Sequence, residues 1–200
     1  MLYRALTQQR EDSNKNYSIH EPEVLCIAKG KEYKPYEFGN KSSFAYKRGS
    51  GIIAGAMAVE GNAYDGHILQ PQLQQVKELT GADIKKAIVD RGYKIKKGIG
   101  SIDIIMPKVL KKESYYLKKK REERCRSRAG IEGLISHLKH DHRMLRNYLK
   151  GTSGVQINTL LAAAAYNMMK WMRVKRQEML SLIFRWFSKS HVLVSVNIQT

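Results

Sequence analysis

Two cysteines in 200 residues, Cys26 and Cys125, are too few and too far apart for a disulfide framework or a zinc cluster. Acidic residues are scarce as well: 18 Asp and Glu stand against 36 Lys and Arg, giving a formal charge of +18 and a pI near 9.9. A charge that large repels itself unless a polyanion is nearby, and nucleic acid is the usual one. The alternative at this level is a merely soluble basic protein. No apolar run reaches signal-peptide or membrane-spanning length. Met1 to Leu6 leads straight into polar residues, and Leu160 to Met172 is short and contains Asn167 and Lys170, as a buried helix would. These absences set aside a secreted disulfide scaffold, a zinc module and a membrane span, and a cytoplasmic protein is the expectation. No internal repeat occurs.

What is present suits one domain, since 42% of the residues are hydrophobic. Residues 1–20 are polar and resemble the remainder of a helix followed by a linker. Tyr33, Tyr36, Phe38 and Phe44 alternate with charged residues in a half-buried strand pattern, and Ile52 to Val59 is a continuous apolar run suited to a strand covered on both faces. Gly49 and Gly51 mark a turn between them. A helical period follows at Ile68, Leu69, Leu73, Val76 and Leu79, closed by Thr80-Gly81, with Asp65 as the expected N-cap. Lys86 to Asp90 reads as a short buried strand and Ile102 to Met106 as another. A helix around Glu132 is expected to stop at Asn147–Gly151. A second runs from about Val155 to Arg173, with Leu160, Leu161, Ala164, Ala165, Met168, Met169 and Met172 on its apolar face. The order predicts an α/β domain with a mixed sheet.

Three constellations carry chemistry. Asp90 ends a strand two residues before Gly92; it either caps the next turn or points into the crevice where α/β sheets place ligands. Arg128, Glu132 and Lys139 fall within an arc of about 40° on a helix, so one carboxylate is flanked by two cations. That pattern is either a surface ladder of ion pairs or a site for a metal and a phosphate. Residues 108–128 hold ten basic and three acidic residues, with Tyr115 and Tyr116 among them. Lys118, Lys119, Lys120 and Arg121 in that block suit the tracking of a DNA backbone, against the alternative of a solvated loop. His137, His140 and His142 spread around the helix and suit exposure or phosphate contact better than a metal.

Val89-Asp90-Arg91-Gly92-Tyr93 followed by Arg128-x3-Glu132-x6-Lys139 resembles the C-terminal half of a bacterial insertion-sequence transposase of the DDE class. Tyr36–Lys41, Gly61–His67, Arg146–Gly151 and Asn158–Ala163 agree with it in order, so the resemblance covers roughly residues 15–173. It implies a ribonuclease-H-like mixed sheet flanked by helices, in which two Asp and one Glu hold two Mg²⁺ ions, with Mn²⁺ as a substitute. Asp90 matches the second acid and Glu132 the third. Arg128 and Lys139 match the basic members of the family's Tyr-x2-Arg-x3-Glu-x6-Lys pattern, and Arg91 lies beside the second acid. Where the family has its tyrosine, this chain has Cys125.

No early Asp has the setting of the first acid, since Asp12 lies in a polar segment. The expectation is therefore an N-terminally incomplete chain: residues 1–20 a remnant, 21–173 the C-terminal part of the catalytic domain, and 174–200 a helical extension and tail. The implied partners are insertion-sequence ends, target DNA and, in a complete transposase, a second copy; no small-molecule substrate is implied. Complete relatives nick DNA with an activated water and join the freed 3′-hydroxyl to target DNA, whereas this chain alone is expected to be inactive. The alternatives are a non-catalytic DNA-binding remnant, or a product that fails to fold because a lost central strand leaves an open sheet edge.

Overall fold

The computed structural model describes residues 2–13, 15–28, 32–33, 35–59, 61, 63–89, 99–106 and 114–194, without the side chains of 127, 128 and 189–194. It is a mixed α/β chain in the order α1 (Leu2–Thr7), β1 (Leu25–Ala28), β2 (Tyr36–Gly39), β3 (Lys41–Lys47), β4 (Ile52–Val59), α2 (Asp65–Thr80), β5 (Lys86–Ile88), β6 (Asp103–Ile105), α3 (Tyr115–His140) and α4 (Gly151–Val194). The expected single mixed sheet is not what the described residues form. They make three two-stranded sheets: β1 with β2 and β3 with β4, both antiparallel, and β5 with β6, parallel.

The β3–β4 hairpin turns at Gly49 and Gly51, both at positive φ (89° and 67°), a conformation glycine adopts without a Cβ penalty. Its register steps from Ala45↔Gly55 to Tyr46↔Ile53, leaving Ala54 as a bulge residue. Helices cover β4 from two sides, as its apolar run requires. α2 buries Ile68, Leu69, Leu73 and Val76, and it approaches β4 so closely that a Cβ on Gly55 would stand 2.6 Å from Gln72 Nε2 and 2.9 Å from Val76 Cγ2.

α4 lies along the free edge of β4 and satisfies it with amide side chains. Asn167 Oδ1 accepts from Ile53 N–H at 2.9 Å while Asn167 Nδ2 donates to Ile53 C=O at 2.8 Å; Ala58 N–H donates to Gln156 Oε1 at 2.6 Å. A side-chain amide has the donor and acceptor that a missing strand would have supplied. Asn167→Ala leaves both Ile53 groups unpaired beside a residue only 5% exposed. At about 1–3 kcal/mol for each of the two unmet groups, an overall loss of about 2–6 kcal/mol is expected in urea unfolding followed by circular dichroism.

Several sequence expectations are corrected. The Glu132 helix ends at His140, not at Gly151, which instead opens α4 at φ 71°. Asp65 is the first residue of α2 and not its cap; the cap is Tyr64, with no side-chain hydrogen bond, and Asp65 pairs with Lys41 at 3.7 Å. The packed face of α4 is Thr159, Ala162, Ala163, Tyr166 and Asn167, while Leu161, Met168 and Met172 are exposed. Small side chains let α4 approach the sheet, which the larger apolar ones prevent. No helix among the described residues is long and apolar enough to cross a membrane.

Candidate nucleic-acid interface and metal-binding carboxylates

The basic block from Tyr115 onward is helix, continuous with the segment that carries Glu132. Ser114 caps it, its Oγ accepting from Leu117 N–H at 3.4 Å. Lys, Arg and Glu are good helix formers, so the block needs no apolar stripe of its own to be helical.

The second half of α3 fixes how the helix is turned about its axis. Leu134 and Leu138 are 2% and 0% exposed, packed with Ile53, Ala56, Ala162 and Ala163. Glu132 and Lys139 lie roughly opposite that buried pair, and both are exposed. Arg128 belongs to the same arc by position in α3. Counting back by 100° per residue, Arg121 falls within about 20° of Glu132 and Lys118 within about 40°, whereas Lys120 falls on the buried side. Lys119 lies between. The run Lys118–Arg121 is thus divided by the helix. Lys118 and Arg121 share the Glu132 face, and Lys120 joins Glu123 and Arg124 in lining a cavity of about 770 Å³.

Sequence reading missed Arg48, Glu123 and Arg124, which line that cavity beside Lys120. Arg48, just past β3, pairs with Glu123 on α3, and the hydrogen bond from its guanidinium, followed by its charge, holds the Glu123 carboxyl below its usual range. No local spacing signals a pair between residues 75 positions apart. Tyr116 is 70% exposed, with Lys120 Nζ 5.9 Å from its ring centre, and Tyr115 is 82% exposed, so neither packs inwards.

Asp90 and Arg91 lie outside the described residues. Val89, immediately before them, is buried and donates its N–H to Ile105 C=O at 3.1 Å, so β5 ends in register against β6. The histidines do not converge. His137 Nδ1 is 2.6 Å from Asp141 Oδ2, an interaction that lowers the Asp141 pKa, while the His142 ring stands edge-on to Tyr166. Among the described residues no three His, Cys, Asp or Glu side chains come together as a metal cluster. The donor type still fits a hard divalent cation: Glu132 offers carboxylate oxygens in a strongly cationic setting, and such ions take a few protein carboxylates plus water and phosphate oxygens.

A family model described as "Transposase DDE domain" matches residues 8–168. No curated protein and no solved structure matches the chain.

Proposed function

The chain belongs to the transposase DDE-domain family of insertion-sequence transposases, and from that premise we propose that Asp90 and Glu132 are two of the carboxylates that hold divalent metal ions for cutting and joining DNA. The family acts in DNA transposition and generally uses divalent metal ions. The observation that supports the assignment is the rotation of α3: with Leu134 and Leu138 buried, Glu132 and Lys139 are presented to solvent on one face.

In this reading the three small sheets are parts of a ribonuclease-H-like fold. Residues 1–20 form a polar N-terminal segment, 21–173 the catalytic domain and 174–200 an extension. Held by carboxylates that include Asp90 and Glu132, two Mg²⁺ ions, or Mn²⁺ in their place, would supply Lewis-acid activation of a water or 3′-hydroxyl and offset charge at the leaving oxygen. The chain's own residues do the positioning. Arg128 meets a phosphate through its planar fork, and Lys139 meets one as a point charge. Arg91 stands beside Asp90 in sequence, and Lys118 and Arg121, on the Glu132 face of α3, add sequence-independent affinity along the backbone. The DNA partners are element ends and target, held by two copies in a bacterial nucleoid.

Mn²⁺ binding measured by electron paramagnetic resonance tests the assignment. Glu132→Gln is expected to weaken it by about tenfold or more, because a hard cation loses an anionic oxygen. It is also expected to abolish any Mn²⁺-dependent nicking of end-sequence DNA. Unchanged Mn²⁺ affinity would remove Glu132 from the site. The exposed basic start of α3 also favours a second reading, DNA binding without catalysis, in which Asp90→Asn leaves DNA affinity unchanged.

A further inference from the structure

We propose that the outer part of α4 lies flat on an anionic lipid surface and holds the chain there as an interfacial helix. α4 is fastened to the hairpin by Asn167, which bonds both backbone groups of Ile53. Met169 and Lys170 are its last half-buried residues, and every residue from 171 to 188 is exposed. At 1.5 Å per residue that stretch continues the helix for about 27 Å. The family match ends at residue 168, so the stretch lies outside it. Its composition is not that of a solvated helix. Seven of the ten residues 179–188 are apolar, and at 100° per residue they fill an arc of about 200°. Ser181, Arg185 and Ser188 take the remainder. Leu182, Phe184 and Trp186 are 63%, 73% and 67% exposed, so the arc faces water along its length. Contiguous apolar surface rimmed by polar residues marks a site of interaction.

The width and the charge of this face identify what covers it. A helix that packs on a protein partner needs an apolar stripe of roughly 100°, about half of what is present here. A bilayer surface covers the whole arc at once, and Trp and Phe are the residues that settle at its headgroup boundary. Residues 170–188 carry five cations, Lys170, Arg173, Lys175, Arg176 and Arg185, against one carboxylate. That carboxylate, Glu178, already pairs with Lys175 at 2.8 Å. Two copies of such a helix repel each other, whereas anionic headgroups attract it, by about fivefold in affinity per cation. Lys175 and Arg176 fall within the apolar arc, and their long stems carry the charge back to the headgroups. Duplex DNA would satisfy the cations but leave the arc in water. The helix lies on the bilayer and does not cross it, since no described helix is long and apolar enough to span. The inference stands on α4 alone and does not rest on the transposition chemistry.

The two tryptophans of the chain, Trp171 and Trp186, both lie in this stretch and report on it. The full chain carrying Trp171→Phe, with Trp186 as its remaining tryptophan, is mixed with vesicles of equal parts phosphatidylglycerol and phosphatidylcholine at about 0.15 M salt. Trp186 emission is expected to move to shorter wavelength and to be quenched by bromines on the acyl chains. Phe184→Ser with Phe187→Ser should weaken partitioning on the order of a hundredfold, because two large side chains no longer enter the lipid. Arg173→Gln with Arg176→Gln should weaken it about 25-fold. Lys118→Gln, Arg121→Gln and Lys139→Gln on α3 should leave the quenching in place. Attachment without acyl-chain quenching would mean that charge alone holds the protein, and would overturn the proposal. A blue shift without lipid that grows with protein concentration, alongside a dimer in sedimentation equilibrium, would assign the face to a second copy and overturn it too. No attachment to the anionic vesicles would do the same.

Discussion

Leu138→Ala is expected to lower the unfolding free energy by about 3–4 kcal/mol, within the range for truncating a fully buried leucine. Leu138 is 0% exposed and shares its cluster with Ile53 and Ala56 of β4 and Ala162 and Ala163 of α4. The fully buried members of the cluster offer little to fill the vacated space. The alanines have no side chain to extend, and Ile53 is held through both backbone groups by Asn167. The transfer loss and the cavity term therefore both apply. Leu145→Ala is the matched control: Leu145 is 69% exposed, and its truncation should cost less than about 0.5 kcal/mol. Urea unfolding of the two variants decides the matter, and a loss under about 1 kcal/mol for Leu138→Ala would show that α3 is not anchored on the hairpin by this residue. The same substitution carries a functional consequence under the proposed assignment. Leu134 and Leu138 set the rotation of α3, so loosening Leu138 should weaken Mn²⁺ binding at Glu132 without touching the carboxylate.

How much of this was legible in the sequence follows from where the packing signal resides. β4 and α2 were readable almost to the residue, because Ile52–Val59 is continuous apolar chain and Ile68, Leu69, Leu73 and Val76 repeat at helical spacing before Gly81. The burial of Leu134 and Leu138 was readable for the same reason. β1 was not, since Leu25–Ala28 is four residues long and lacks an alternating pattern. The start of α3 was hidden because charge, not apolar period, dominates Tyr115–Arg126, although Lys, Arg and Glu favour helix individually. α4 was misjudged on its packed face because it meets β4 through alanine, threonine and amide side chains. Hydrophobicity ranks such residues low, and only the tertiary partner, an open strand edge, gives them value. Sheet order is the least local property: whether β3 and β5 share a sheet depends on what lies between them, which no window of sequence encodes. The candidate site is a reading of residue types and spacing. Which of the clustered cations share the Glu132 face became clear only when the buried leucines fixed the helix rotation.

That rotation leads to the largest expected effect on DNA. The triple variant Lys118→Gln, Arg121→Gln, Lys139→Gln removes three cations from the Glu132 face of α3 while leaving its buried side intact. Each phosphate contact contributes about 0.9 to the slope of log affinity against log salt, so the slope should fall by about 2.7. At about 0.15 M salt that corresponds to a loss of affinity on the order of a hundredfold, nearly independent of DNA sequence. Lys120→Gln provides the internal comparison. Lys120 has the same charge and a neighbouring position, but it lies with Glu123 and Arg124 along the cavity, so its slope change should stay well under one. Fluorescence anisotropy of a labelled duplex at several salt concentrations measures both. If the two substitutions act in proportion to charge alone, binding is governed by net charge and not by a face of α3. A large effect of the triple variant beside a small one for Lys120 places the DNA backbone along the face that carries Glu132. The opposite side of the helix is closed by Leu134 and Leu138.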